Sequence, residues 1–550
     1  MPYNPSNSAA FSASDRDIQT FIDEYAELSA PREEAFGEAY WNLATTGTEE
    51  SKSTLIEAGL AYNEVFSNRE DFATLGVWNE ERSGLKDALS RQVAVLYRTF
   101  AASQGDRRIL EKIEALEAQA SSVYSNHRAE VREEKVGENE VREILRTSTD
   151  EAERREAWMS SKTVGGEVAE TVRELARLRN RIAEEQGYRD HYHRSLDLQE
   201  IDPEELEGIM SSLKQETDRP FHELKSLIDE HLKEKFGVTE VMPWHLSDPF
   251  FQGCKQEVAG AFGIGDGLDE AFAGKDIEAL TRETYDNLGL EVRGVLARSD
   301  LYERAGKDQH AFCLHIGRKP PYDVRVLANV RADHYWTDTM LHEFGHAVYD
   351  KHHDPFLPYF LRSVAHTNTT EAIALMMGSL SDDPLWLTNI AGLPEEATAG
   401  AWRTNRLDKL VFVRWALVMY RFEQELYADP DRDDLNEVWW DLVEELQLVK
   451  KPEGRDEPDW AAKIHVATAP VYYHNYVLGE LIATQLRAYI ETNITHGPFF
   501  ESGSGEMAGR YLIDAVFGPG ARDDWRETVE RATGEPLNPE RFVASLLSPL

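Results

Sequence analysis

The chain has 550 residues, 41% of them hydrophobic and 29% charged, a composition typical of a soluble globular protein with a large core. Its 100 acidic and 59 basic residues give a net charge of −41, which argues against nucleic acid or an anionic membrane as a partner because both attract basic surfaces. No apolar run is long enough for a transmembrane helix, and the two cysteines, Cys254 and Cys313, are too few for a disulfide framework, although one bridge is possible. The N-terminus also lacks the basic start and apolar core of a signal peptide, so we expect a cytoplasmic protein.

The first 240 residues read as a series of helices after a polar leader. Residues 1–13 are predicted to be disordered. Ser14 and Asp17 then form a capping-box pattern, which predicts that a helix begins here. The Glu and Arg runs between 128 and 156 are interpreted as solvated helix faces. Because the sequence has no internal repeat, low-complexity segment or Gly/Ser linker, we predict one large, mostly helical domain over 1–550.

Strand-like residues are concentrated in the segment 290–331. It contains EVRGVLARSDLY, HAFCLHIG and DVRVLANV, which are rich in β-branched or apolar residues and are separated by Gly and Pro turns. We therefore predict a small sheet directly ahead of a helical region over 337–490. A further helix is predicted near 523–532, and the role of the C-terminal 60 residues is open.

The helix predicted over Thr337–Asp350 carries the clearest chemical motif. His342 and His346 are four residues apart, so that both imidazoles lie on one helix face. With Glu343 they form the HExxH pattern of zinc peptidases, in which the glutamate lies beside the metal and can accept a proton from water. Gly345 is a poor helix former, and we expect another element to pack closely against it.

A catalytic zinc needs a third protein ligand and one open position. Glu371, at the start of a predicted helix, is the candidate, although an acidic residue in the first turn of a helix can also simply complement the helix dipole. Asp354 is a weaker alternative. His352 and His353 are expected to be exposed loop residues.

Two further segments are rich in groups that can stabilise an oxyanion or contact a peptide. Residues 463–465 and 470–476 contain Lys, His and Tyr side chains, which can donate hydrogen bonds to a developing negative charge. His310 and Ala311, in a strand-like segment, can contact a substrate backbone. Taken alone, the Lys, His and Tyr cluster is more often structural, and a buried structural histidine is an equal alternative for His310.

Several segments together resemble the angiotensin-converting enzyme family of peptidyl-dipeptidases (peptidase family M2), and more distantly the thimet oligopeptidase and oligoendopeptidase F group. The resemblance covers about 200–490, and its separate segments keep the order of that family, which makes it far more specific than HExxH alone. The segments are Met242–Leu246, the helix HEFGHAVYD, Thr370–Ile373, Asn436–Trp440 and Asp459–His465.

The resemblance implies a role for each matching residue. It implies one Zn²⁺ bound by His342, His346 and Glu371. It implies that Glu343 is the general base and proton shuttle and that His465 and Tyr476 stabilise the oxyanion. The residues implied to bind substrate, through its C-terminal carboxylate or its backbone, are Lys463, Tyr473, Tyr472 as an alternative to Tyr473, Gln252, His310 and Ala311.

The same resemblance implies a mostly α, two-lobed metallopeptidase with a deep central cleft and a small β-sheet near the zinc site. The helices of about 14–105 are implied to form a lid that admits only short, flexible peptides. The implied reaction is the release of C-terminal dipeptides from short peptides. We expect the protein to be a monomer or a dimer.

The chain departs from the family pattern at three places near the site. One extra residue separates His465 from the tyrosines, so Tyr472 and Tyr473 can exchange roles. His474 and Asn475 stand where a chloride-binding arginine is expected. Leu375 replaces an acidic residue one turn after Glu371, so the support of the metal ligands must differ.

The alternatives to a peptidyl-dipeptidase are an oligoendopeptidase of the thimet type and a non-catalytic helical zinc-binding protein.

Overall fold

A computed structural model describes residues 14–263, 268–398 and 400–547. The protein is mostly helical, as predicted, and the described part contains two small antiparallel sheets. The predicted leader, 1–13, lies outside the described residues. The capping box is confirmed, because the side chain of Ser14 accepts from the N–H of Asp17 and the Asp17 carboxylate accepts from the N–H of Ser14. No helix in these ranges is long and apolar enough to cross a bilayer.

The first four helices pack around a small core of their own. Helix α1 also lies against the hairpin predicted near the site, since a Cβ on its Gly37 would come within 3.3 Å of Ile316. The four helices are α1 (Asp15–Thr46), α2 (Glu49–Glu64), α3 (Arg69–Glu81) and α4 (Asp87–Ala102). The buried core residues are Ile18, Ile22, Tyr25, Phe66, Leu75, Leu89, Val93, Leu96, Phe100 and, from the C-terminal half, Phe360. The role of this unit as a lid stays a prediction.

A second group of elements runs from Arg107 to Leu296. Its helices are α5 (Arg107–Asn126), α6 (Glu138–Thr147), α7 (Glu151–Ser161), α8 (Thr163–Glu185), α9 (His191–Leu198), α10 (Pro203–Phe236), α11 (Lys255–Phe262), α12 (Leu268–Phe272), α13 (Ile277–Asn287) and α14 (Arg293–Leu296). Strands β1 (Ala129–Val131) and β2 (Glu134–Val136) form an antiparallel hairpin. This hairpin was not predicted, and it lies within the run that was interpreted as helix surface.

The predicted small sheet is present, but it has two strands instead of three. Strands β3 (Phe312–His315) and β4 (Val324–Leu327) pair antiparallel, with Phe312 opposite Leu327. The predicted strand over 291–302 is wrong, because this segment contains helix α14 and pairs only through a single bridge from Asp300 to Leu327. Its buried residues Val292 and Val295 are three apart, a spacing that suits a helical turn better than the alternation of a strand.

The third group confirms the predicted helical region over 337–490. Its helices are α15 (His334–Lys351), α16 (Thr367–Gly378), α17 (Pro384–Asn389), α18 (Glu395–Thr398), α19 (Ala401–Ala428), α20 (Leu435–Gln447), α21 (Ile464–Thr468), α22 (Tyr473–Tyr489), α23 (Ser504–Leu512), α24 (Trp525–Thr533) and α25 (Glu540–Leu547). Helix α24 agrees with the helix predicted near 523–532. Short 3-10 segments occur at Arg82–Gly84, Pro243–His245, Tyr359–Leu361, Ser379–Asp382, Asp459–Ala462 and Gly520–Arg522, and π-helical turns at Ile490–Ile494 and Ile513–Phe517.

Two large hydrophobic cores account for most of the buried surface, in agreement with a two-lobed helical metallopeptidase. The first core contains buried residues of α7, α8, α10, α19, α20 and the N-terminal part of α22. The second core contains buried residues of α13, α15, α16, α24 and the C-terminal part of α22. Helix α22 therefore belongs to both cores, and the residues of the predicted site lie on the helices where the cores meet.

Candidate active site

Helix α15 presents the HExxH motif from a rigid position. The helix begins after Asp333, whose carboxylate accepts from the N–H of Trp336 at 2.8 Å, the usual role of an N-cap aspartate. Its apolar residues, among them Leu341 and Phe344, are fully buried in the second core. The rings of His342 and His346 are consequently held together on the opposite face, with their centroids 5.0 Å apart.

Because Gly345 has no side chain, the backbone of helix α16 can pack directly against helix α15, as the sequence predicted. A Cβ on Gly345 would lie 2.8 Å from the Cα of Ala374. Gly479 of α22 plays the same part on the other side of α16, because a Cβ there would lie 3.2 Å from the Cβ of Glu371. The two glycines therefore let three helices stack closely, and this stacking places Glu371 beside the histidines.

His342, His346 and Glu371 form a cluster whose ligand atoms all lie within 4.8 Å of one another. Nε2 of His342 is 3.8 Å from Oε2 of Glu371. Around a tetrahedral zinc ion with bonds of about 2.0–2.1 Å, ligand atoms are about 3.4 Å apart. Two imidazoles and one carboxylate in this arrangement fit Zn²⁺ with one position left open. Asp354, the alternative third ligand, is exposed and instead accepts from the N–H of Phe356.

Burial controls the charge of the acidic and basic groups in this cluster. It raises the pKa of Glu343, an effect that His342 opposes and Glu371 reinforces. Burial also raises the pKa of Glu371, and it lowers the pKa of His346 to about 3. A carboxylate with a raised pKa is a stronger proton acceptor, and a neutral imidazole is the form that binds metals.

Two hydroxyl groups form hydrogen bonds with the candidate metal ligands His346 and Glu371. The sequence had not identified the groups that support these ligands. The hydroxyl of Thr370 lies 2.7 Å from Nδ1 of His346, which leaves Nε2 free for a metal. The hydroxyl of Tyr472 donates to Glu371 over 3.4 Å. Neither contact was predicted, although Thr370 immediately precedes the ligand Glu371 and this position was the only available sequence signal.

The structure brings the other aromatic candidates together next to the metal cluster. The ring of Tyr476 lies 5.1 Å from that of Tyr472 and 5.5 Å from that of Tyr473, and the His465 ring is 5.1 Å from Tyr473. Burial, with a smaller contribution from Lys463, lowers the pKa of His465 to about 4, and burial raises the pKa of Tyr476 to about 12. At neutral pH, His465 is thus neutral and Tyr476 keeps its proton.

The turn before α22 has a strained backbone conformation, and this conformation sets the directions of the Tyr472 and Tyr473 side chains. Val471 has a φ of +54°, which is unfavourable for a β-branched residue. Its N–H donates to the buried carboxylate of Glu423 at 2.8 Å, and its carbonyl accepts from Gln199 at 3.2 Å. Burial raises the pKa of Glu423 to about 8. The turn therefore directs Tyr472 to Glu371, and Tyr473 toward the other candidate residues.

Lys463, Gln252 and Tyr473 form a separate polar group. The ammonium of Lys463 donates to the Gln252 amide oxygen at 2.9 Å and lies 6.0 Å from the centre of the Tyr473 ring. Burial lowers the pKa of Lys463 to about 8, and Asp248 partly opposes this effect. Of the two tyrosines that the sequence left interchangeable, the structure thus places Tyr473 with the lysine.

The remaining candidates occupy other positions. His310 is exposed, and with Ala311 it precedes β3 instead of lying within the strand. The residue of β3 that reaches the motif is Cys313, whose backbone forms a hydrogen bond with Glu343. Where a chloride-binding arginine was expected, Asn475 donates to the side-chain oxygen of Gln199 at 2.8 Å, and the His474 ring lies 3.2 Å from the same oxygen.

The prediction that His352 and His353 are exposed is wrong, because His352 is half-buried and His353 is buried. The His353 side chain is only 2% exposed and packs against the Tyr349 ring at 5.7 Å. Helix α15 ends at Lys351, and the chain then turns back onto the helix and the hairpin, which covers the imidazole. Residues distant in sequence provide this cover.

Comparison with known families supports the resemblance over a longer stretch than the individual motifs did. A family model described as angiotensin-converting enzyme matches residues 12–246 and 316–550. The matched regions include the metal cluster, His465, Lys463 and the tyrosines. They leave out Gln252, His310 and Ala311.

The chain is also similar to a mitochondrial intermediate peptidase from Eremothecium gossypii, with 20% identity over 476 residues. This similarity covers 72% of the chain and 59% of that protein, so the chain spans less than two thirds of its relative. Because the family model covers most of the chain, including the helix with the HExxH motif, the chain belongs to the angiotensin-converting enzyme family of metallopeptidases.

Proposed function

We propose that the protein is a zinc-dependent peptidyl-dipeptidase that hydrolyses short peptides and releases C-terminal dipeptides. The observation that carries this proposal is the convergence of His342, His346 and Glu371, with Glu343 on the same helix face and a buried lysine group nearby. Two histidines and one carboxylate leave an open ligand position, which suits a catalytic ion rather than a structural one.

In this proposal, Zn²⁺ polarises the scissile carbonyl and acidifies the attacking water when it is bound. Glu343 accepts the proton of that water and then delivers it to the leaving amine. Because Glu343 lies beside the ligand His342, the same carboxylate can serve both steps in turn. Neutral His465 and protonated Tyr476 donate hydrogen bonds to the oxyanion as it forms.

The lysine group would select the C-terminal end of the substrate. Lys463, with Gln252 and Tyr473, can bind the free carboxylate of a peptide through charge-assisted hydrogen bonds. A carboxylate fixed two residues beyond the scissile bond allows the release of dipeptides and disfavours internal cleavage. The exposed His310 and the adjacent Ala311 would contact the peptide backbone at the edge of β3.

An oligoendopeptidase of the thimet type is the alternative function. It would use the same metal cluster without a strict carboxylate anchor, and the similarity to a mitochondrial intermediate peptidase favours it. A non-catalytic zinc-binding protein is less consistent with the site, since a structural zinc site would need a fourth protein ligand.

Mass spectrometry of the products from a short synthetic peptide distinguishes these functions. We expect successive loss of C-terminal dipeptides from the free acid, and little cleavage of the same peptide with an amidated C-terminus. Equal internal cleavage of both peptides would assign the protein to the oligoendopeptidase function. Absence of cleavage by protein that binds zinc would contradict any peptidase function on peptides of this size.

Substitution of Lys463 by Met should raise KM for the free-acid peptide by about 10- to 100-fold, the cost of one hydrogen bond to a charged group. In the wild type, KM should also rise as pH increases through about 8, because the lysine is charged below this value and neutral above it. The charged residues that act electrostatically on the Lys463 ammonium are Asp248, Glu138, Arg142 and Lys162.

The control for this experiment is Lys450→Met, which removes an exposed lysine paired with Glu240 and should leave KM unchanged. KM for the amidated peptide should be insensitive to both substitutions. If KM for the free acid has the same pH profile in Lys463→Met as in the wild type, Lys463 is not the carboxylate anchor.

We further propose that the protein acts in the cytoplasm, as a monomer or dimer, on peptides and not on nucleic acid or membranes. Cys254 and Cys313 are both free, which agrees with a reducing compartment. The net charge of −41 opposes binding to polyanions.

A further inference from the structure

A second cluster of metal-binding side chains lies beyond the first one along helix α15. His315 is the last residue of β3, Asp350 lies in the last turn of α15, and His353 follows the end of that helix. The ligand atoms of these three residues all lie within 4.8 Å of one another. Asp350 is one helical turn after His346, so the two clusters share one helix but no residue.

Three imidazole nitrogens of this second cluster lack hydrogen-bond partners within the described part of the chain, where His353 is buried and His315 is half-buried. Among the described residues, neither ring nitrogen of His353 has a hydrogen-bond partner, and Nε2 of His315 also lacks one. An unpaired buried polar atom destabilises the folded protein. The His353 side chain is only 2% exposed, so a group bound at one of its nitrogens would remove part of this destabilisation.

The distances within the cluster are too long for hydrogen bonds and suit a shared ion. Oδ1 of Asp350 lies 3.8 Å from Nδ1 of His315 and 4.0 Å from Nε2 of His353, whereas hydrogen bonds in proteins are about 2.7–3.2 Å long. Ligand atoms around one ion are separated by about 3–4 Å when each bond is about 2.0–2.2 Å. A single carboxylate oxygen that faces two imidazole nitrogens at such distances is the arrangement that a metal ion fits.

The surroundings of the cluster add a further polar group. The hydroxyl of Tyr322 is buried and has no partner in the part of the chain that the structure describes, and its ring lies 5.3 Å from His315 and 6.0 Å from His353. Arg318 acts on Asp350 and pairs with Glu33 over 2.9 Å, and Arg362 and Asp354 act on Tyr322 with opposite charges. The local charge therefore does not exclude a bound cation.

We propose that His315, Asp350 and His353 bind a second divalent transition-metal ion, for which Zn²⁺ is the matching ion. Two imidazole nitrogens and one carboxylate oxygen favour the later first-row metals over Mg²⁺ or Ca²⁺, which prefer oxygen ligands. The ring of Tyr322 contacts both imidazoles, and a water would take the fourth position. This site is independent of the peptidase function proposed above.

The second ion would fix β3 against the end of α15. His315 lies two residues after Cys313, whose backbone is hydrogen-bonded to Glu343. An ion that joins His315 to Asp350 would thus hold the strand in register with the helix that carries the proposed base. Its role would be to stabilise this junction, because its ligands are the side chains that connect the two elements.

Zinc stoichiometry of the full-length chain tests the proposal. After removal of metal, reloading with a small excess of Zn²⁺ and buffer exchange, elemental mass spectrometry should find two zinc ions per wild-type chain. His353→Gln should retain one, and so should the more conservative Asp350→Asn. The matched control is His352→Gln, because His352 bonds to the Val348 carbonyl at 2.7 Å instead of joining the cluster, and it should retain two.

The double variant His342→Gln/His346→Gln separates the second site from the first. It should keep one zinc ion, and His353→Gln added to it should remove that ion. If the double variant binds no zinc, or if wild type and His353→Gln both bind one, the proposal is overturned and His353 is satisfied by buried water. Failure of the proposed peptidase site alone gives a different result: one zinc in the wild type that is lost in His353→Gln and kept in the double variant.

If His353→Gln does not fold, wild type and the double variant still decide the question, with Asp350→Asn as the ligand substitution. Unfolding followed with and without Zn²⁺ gives a second measurement. Zinc should raise the unfolding temperature of the double variant, because an ion that binds only the folded state stabilises it. No zinc-dependent shift in a folded double variant would contradict the proposal.

Discussion

Substitution of Glu343 by Gln should lower kcat by about 10²- to 10⁴-fold, the usual contribution of a general acid or base, and should leave zinc content unchanged. Gln has the same shape and can keep the hydrogen bond with the backbone of Cys313, but it cannot accept a proton from water. Because Glu343 adjoins the three ligand residues without belonging to their cluster, its loss should affect hydrolysis and not metal binding.

The measurement is peptide hydrolysis together with zinc analysis on the same preparation. Glu257→Gln is the matched control, because Glu257 is also a buried carboxylate with a pKa raised by burial, but it accepts from the N–H of Ser247 and is outside the metal cluster. This control should keep full activity. Activity of Glu343→Gln close to that of the wild type would remove Glu343 from the mechanism, and loss of zinc would make it a structural residue.

Substitution of Gly345 by Ala should destabilise the protein and weaken metal binding at the same time. The added Cβ would lie 2.8 Å from the Cα of Ala374, so α15 and α16 must move apart. Overpacking of this kind costs about 1–3 kcal/mol, which exceeds the gain of about 1 kcal/mol from replacing Gly by Ala in a helix. Since Glu371 lies on α16, the same movement separates it from His342, and zinc affinity should fall by about 10-fold or more.

Chemical unfolding of the metal-free protein and a zinc titration measure the two effects separately. Gly208→Ala is the control, because Gly208 lies within α10 and nothing approaches its Cβ position within 4 Å. There the substitution should stabilise the protein by up to about 1 kcal/mol. An equal gain in Gly345→Ala, with unchanged zinc affinity, would show that the close contact of α15 and α16 does not position the ligands.

The helices and the metal cluster were predictable because short sequence patterns determine them. Apolar residues at helical spacing indicated most helices, and the spacing of His342 and His346 already placed both imidazoles on one face. Gly345 was correctly expected at a close contact, since a glycine within a helix is unfavourable unless something needs the space.

The features that were missed depend on conformations or contacts that the sequence does not indicate. The turn of the β1–β2 hairpin consists of Arg132 and Glu133 with φ of +52° and +66°, where Gly, Asn or Asp would normally occur. The roles of Tyr472 and Tyr473 depend on the strained φ of Val471. The burial of His353 depends on elements that are far apart in the chain.

Helix α22 mechanically connects the two halves of the proposed enzyme, because it contributes residues to both hydrophobic cores. The first turns of this helix, with Tyr473 and Val477, belong to the first core, and its later residues Ile482 and Leu486 belong to the second. The proposed metal ligands lie on helices of the second core, whereas Lys463 and His465 lie beside the first. A small rotation of one half against the other would therefore separate the carboxylate anchor and the oxyanion donors from the metal while both cores stayed folded. The rate of peptide hydrolysis would therefore report how well the two halves of the molecule are aligned.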